Sequence, residues 1–94
     1  MLDEKISICS DVVDTTLNEG EVVLLHLESK MYYSLNRTGE RIWRGLKEGL
    51  GLREISRRLQ DEFDVDEQEA ERSVLDLVNE LCEQKLVLRN GEAS

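Results

Sequence analysis

The stretch Ser29-Lys30-Met31-Tyr32-Tyr33-Ser34-Leu35-Asn36 limits the possible folds more than any other part of the chain. In an extended segment Met31, Tyr33 and Leu35 share one face, and Tyr32 and Ser34 share the other. Aromatic side chains favour that pleated setting. The segment runs straight into Asn36, whose side-chain oxygen can accept a free amide of a first helical turn. A strand that passes without a loop into a helix must lie where sheet and helix meet. The expectation is an edge strand over Lys30 to Leu35, held beside a helix, with one side of its backbone open to an added strand.

The remaining composition narrows what could pair there. At 94 residues the chain can bury one core, so a single domain over 1–90 with a disordered tail over 91–94 is expected. The net charge of −9 repels nucleic acid and anionic membranes and favours neutral or basic protein segments as partners. Cys9 and Cys82 lie far apart with no CxxC spacing, which argues against a zinc site or a disulfide scaffold and suits a reducing cytoplasm. No apolar run approaches the ~20 residues a bilayer span needs, and Met1-Leu2-Asp3-Glu4-Lys5 has no signal-peptide pattern.

In chain order, Ile6, Ile8, Val12 and Val13 give a weak strand signal, and the polar run 14–20 reads as a turn. Glu21 to Leu27 is a short apolar run that suits a strand buried on both faces. Glu28-Ser29-Lys30 then makes a hairpin into the key strand. A first helix runs from Asn36 to about Glu48 with a stripe of Ile42, Trp43 and Leu46, ended by Gly49-Leu50-Gly51. A second covers about Leu52 to Phe63, burying Leu52, Ile55, Leu59 and Phe63. A third, capped by Asp66, covers about Glu67 to Gln84. Its projection at ~100° per residue puts Ala70, Val74, Leu77 and Leu81 on a central core stripe. Leu75, Val78 and Cys82 form a second apolar row, and Asp76, Glu80 and Glu83 an acidic flank. The second row either packs on a neighbouring helix or lines a groove. Lys85 to Arg89 ends the domain as a short strand or extended tail.

Nothing in this pattern carries chemistry. His26, the single histidine, sits inside the apolar strand as a structural residue would. No nucleophile has a base beside it, no glycine-rich phosphate loop exists, and no metal-ligand cluster or cofactor motif is visible. Strands followed by three helices also describe a winged helix-turn-helix, which raises DNA binding. The third helix would then be the reader, yet it carries Glu67, Glu69, Glu71, Asp76, Glu80 and Glu83 against Arg72 alone. Phosphate contacts dominate DNA affinity, so that reading is disfavoured.

The ordered series Tyr32-Tyr33-Ser34-Leu35-Asn36, Thr38-Gly39, Ile42-Trp43, Leu46, Gly49, Ile55, Leu59, Phe63-Asp64-Val65-Asp66, Val74, Leu77, Leu81 and Leu86-Val87 resembles the PqqD-like domains. These are also called recognition elements of ribosomally made, modified peptides (RiPPs). The resemblance covers about residues 20 to 88. It implies an α+β, winged-helix-like fold with a small three-stranded antiparallel sheet packed on three helices. It further implies a non-catalytic adaptor without cofactor. Its partners would be the leader segment of a precursor peptide, added as a strand to the third strand, and a separate processing enzyme.

Carried onto this chain, the peptide-binding residues would be Lys30, Met31, Tyr32, Tyr33, Ser34 and Leu35 on the edge. Glu71, Leu75, Val78, Asn79 and Cys82 would face them from the third helix. The block is similar to the small stand-alone proteins of lasso-peptide pathways, which serve a cysteine peptidase. The PqqD proteins that serve a radical SAM enzyme usually carry a proline near the second strand, and this chain has none.

Overall fold

The computed structural model describes residues 6–18 and 21–89. Five strands and three helices follow in the order β1 (Ile6–Ile8), β2 (Val12–Asn18), β3 (Glu21–His26), β4 (Tyr32–Leu35), α1 (Arg37–Lys47), α2 (Leu52–Phe63), α3 (Glu67–Glu83) and β5 (Val87–Arg89). The expected α+β architecture is present, with β2-β3-β4 as an antiparallel sheet and three helices. A second, two-stranded sheet pairs β1 with β5, so the start and end of the described chain are zipped together. The expected tail over 91–94 lies outside the described residues.

Two expectations about the first half need correction. Residues 14–18 are not a turn: Asp14, Thr15 and Thr16 stand in ladder register with Leu24, Val23 and Val22. A polar strand is stable here because β2 is an outer strand of the sheet. Asp14 itself is used internally, accepting the indole N–H of Trp43 at 2.7 Å and pairing with Lys47 Nζ at 2.8 Å. Nor is β3 buried on both faces. Val22, Leu24 and His26 are buried while Val23 and Leu25 are only half-buried, because the helices cover one face of the sheet.

The covered face builds the core. Val22, Leu24 and Leu35 of the sheet meet Ile42, Trp43 and Leu46 of α1, then Leu52, Ile55 and Leu59 of α2, and Ala70, Val74, Val78 and Leu81 of α3. Gly45 lets α1 and α2 approach closely, since a Cβ there would sit 2.7 Å from Ile55 Cγ1. The helix entries are capped as the sequence predicts. Asn36 Oδ1 accepts the Gly39 amide at 2.8 Å, and Asp66 Oδ1 accepts the Glu69 amide at 2.8 Å. Gly49 ends α1 with φ of 83°, a left-handed backbone that glycine adopts without strain.

Candidate functional site

β4 has β3 on one side and no strand on the other, among the described residues. Its register is Leu25 opposite Tyr32, Leu24 opposite Tyr33, Val23 opposite Ser34 and Val22 opposite Leu35. The hairpin shows which residues spend their main-chain groups inward: the His26 N–H donates to the Met31 carbonyl at 2.8 Å. Hydrogen-bonded and non-bonded pairs alternate along an antiparallel ladder. The Met31 carbonyl, and the amides and carbonyls of Tyr33 and Leu35, therefore turn toward β3, while the Met31 amide donates to Ser29 Oγ at 3.4 Å. Tyr32 and Ser34 turn theirs outward, giving the free edge two donors and two acceptors. The ladder cannot extend far either way. Lys30 has a left-handed backbone at φ 63°, and Asn36 is already the cap of α1.

Beside this edge runs an open groove of about 390 Å³. One wall is Tyr33, Ser34 and Leu35 with Asn36, Thr38, Gly39 and Ile42 from the cap and first turns of α1. The facing wall is α3, through Ser73, Asp76, Leu77 and Glu80. The Tyr33 hydroxyl donates to the Glu80 carboxylate and so ties β4 to α3. Burial of the phenol and that neighbouring carboxylate push the Tyr33 pKa up to about 12.

The helix row expected to face the edge is not the one that does. Val78 is fully buried in the core, and Leu75 and Cys82 are half-buried and packed against it. Glu71 is half-buried and Asn79 exposed, and neither lines the groove. The central core row of α3 is Ala70, Val74, Val78 and Leu81, and Leu77, half-buried and packed against that core, also lines the groove beside the acidic flank. The apolar arc of α3 is wider than one packed face. Sequence periodicity does not say which margin of such an arc is covered, because that depends on where α2 and β5 press on the helix. On the strand side, Tyr33, Ser34 and Leu35 line the groove. Tyr32 is 73% exposed on the outer face, Met31 is exposed, and Lys30 lies in the hairpin.

Among the described residues no group of His, Cys, Asp and Glu could hold a metal, and no helix is long and apolar enough to cross a membrane. His26 is buried, and its Nδ1 accepts the Ser29 amide at 3.4 Å. It thus braces the β3–β4 hairpin.

A family profile described as coenzyme PQQ synthesis protein D (PqqD) matches residues 21–87. Among solved structures, that of TbiB1 in complex with the TbiA(beta) leader peptide superimposes with a TM-score of 0.81 at 35% identity, over 94% of this chain and 99% of that one. The structure of a lasso peptide synthetase B1 complexed with its leader peptide superimposes with a TM-score of 0.81 at 28% identity, over 88% and 96%. A search of the curated proteins finds no significant match. The profile covers well over half of the chain, and the chain belongs to the PqqD family, the PqqD-like domains also called RiPP recognition elements.

Proposed function

We propose that this chain is a non-catalytic adaptor of lasso-peptide biosynthesis. It binds the leader segment of a precursor peptide as a fourth strand on β4 and presents it to a separate leader peptidase. The observation that carries the reading is the vacant main-chain edge at Tyr32 and Ser34, set beside a groove walled by α3. The two neighbours solved with leader peptides, one of them a lasso peptide synthetase B1, support the same occupant here.

The edge alone is too weak. Four main-chain hydrogen bonds at roughly 1 kcal/mol each net reach about half of the −8 kcal/mol of a micromolar complex. Ordering a flexible peptide costs more again. Alternate side chains of the guest must therefore enter the groove, where Leu77, Ile42 and Leu35 offer apolar contact.

The opposite face of the sheet suits presentation. Val13, Leu25 and Tyr32 form one cross-strand row there, and Thr15, Val23 and Ser34 the next. None of the six is charged in a chain that is 35% charged, and charge depletion marks the centre of protein interfaces. A guest strand would widen this face by one strand.

The test pans a display library of random dodecapeptides against the folded chain, then measures the selected peptides by fluorescence anisotropy. Ser34→Pro removes the outward N–H at an edge position where proline is tolerated. Saturable binding that Ser34→Pro abolishes is expected. Equal binding by that variant, or no selected peptide at all, would overturn strand addition.

A further inference from the structure

We infer that the groove selects a guest strand carrying a lysine or arginine, whose side chain reaches Asp76. The inference deepens the strand-addition reading and rests on it. Its own basis is the geometry of α3. Glu69, Ser73, Asp76 and Glu80 recur at intervals of four, three and four, so they lie on one stripe of the helix. The stripe runs the length of two adjoining depressions. The one beside β4 takes Ser73, Asp76 and Glu80, and the next, of about 400 Å³, shares Ser73 and Asp76 and adds Glu69.

The carboxylates are not equivalent. Glu80 is engaged by the Tyr33 hydroxyl. Asp76 lies in the groove itself and, among the described residues, has no hydrogen bond or ion pair. Arg72, the one cation lining the second depression, is exposed and does not pair with it. A guest on the Tyr32 and Ser34 edge sends every second side chain toward α3. A long cationic side chain can cover Leu77 with its methylenes and bring its charge to Asp76. A guest carboxylate at that position would instead meet the like charges of Asp76 and Glu80, which disfavours it.

The test uses the dodecapeptides selected above. Those selected by the wild-type chain should carry a lysine or arginine at one fixed position. Replacing it by norleucine should weaken binding about three- to tenfold, and Asp76→Asn should weaken the parent peptide by the same factor. The two changes together should cost no more than either alone. Raising salt should weaken the parent peptide and leave the norleucine peptide nearly unchanged. Selected peptides without a fixed basic residue, or full affinity in Asp76→Asn, would overturn the selection rule. If Ser34→Pro still abolished binding in that case, strand addition would stand without it. If Ser34→Pro bound normally, both would fall.

Discussion

The Tyr33 hydroxyl on β4 donates to the Glu80 carboxylate on α3, so the strand edge and the helix that wall the groove are tied directly to each other. Burial first, and then the neighbouring Glu80 carboxylate, hold the phenol in its protonated form, with a pKa of about 12 against an ordinary value near 10. A group whose folded pKa is raised contributes stability that is complete below its unfolded pKa and is lost as pH rises through the folded one. The contribution from Tyr33 should therefore be intact at neutral pH and decline between pH ~10 and about 12. In a Tyr32→Phe background the phenolate absorbance should rise with a midpoint at about 12. A midpoint at the ordinary value would mean that the phenol is neither buried nor set against the Glu80 carboxylate.

Asp14 behaves in the opposite sense. Hydrogen bonds from the Lys47 ammonium and the Trp43 indole hold its carboxyl below the ordinary carboxylate value, against a smaller opposing effect of burial. Its stabilisation is present above the unfolded pKa of ~3.9 and is lost as pH falls through the lowered folded value. Trp43 is the single tryptophan, so its fluorescence during acid titration reports this site. Asp14→Asn should remove the acid-side transition and lower the midpoint of thermal unfolding at neutral pH.

Gly45 is a packing requirement rather than a flexible point. In most helices Gly→Ala gains up to ~1 kcal/mol. Here the new methyl would lie 2.7 Å from Ile55 Cγ1 and force α1 from α2. Gly45→Ala should destabilise by about 1–3 kcal/mol, as overpacking does. Denaturant unfolding of Gly45→Ala, Ile55→Ala and the double variant should show that the two changes together cost less than the sum of the single ones.

Val78 and Leu77 are neighbours in sequence with opposite fates. Val78 is fully buried, so Val78→Asp places an unpaired carboxylate in the core and should cost at least ~4 kcal/mol, enough to unfold much of a small domain. Leu77 is half-buried on the groove wall. Leu77→Ser should leave circular dichroism unchanged while weakening the selected peptides roughly tenfold, about 1.4 kcal/mol. A folded Val78→Asp protein that has merely lost binding would reverse the two assignments.

These two residues also mark where the sequence was legible. Element order, both caps, the α1 stop at Gly49 and the edge strand follow from local chemistry. A cap oxygen, a left-handed glycine and a period-two pattern act within a few residues. The rest depends on contacts distant in sequence. β2 reads as a turn because its polar residues make sense only once β3 and Trp43 are beside them. β3 reads as buried twice because no local signal says that helices cover only one face. The α3 wall is displaced by one row because its apolar arc exceeds one packed face, and packing against α2 and β5 decides which margin is hidden. Asp76 and Glu80 of the acidic flank form part of the groove wall, which the projection alone does not show.

Amide hydrogen exchange along β4, with and without a selected peptide, tests the central claim most directly. The account predicts that Tyr32 and Ser34 exchange freely in the unbound protein and become protected at saturation. The inward-facing Tyr33 and Leu35 amides should be protected throughout. Protection of Tyr32 and Ser34 before any peptide is added, or their continued free exchange in the saturated complex, would contradict strand addition at this edge.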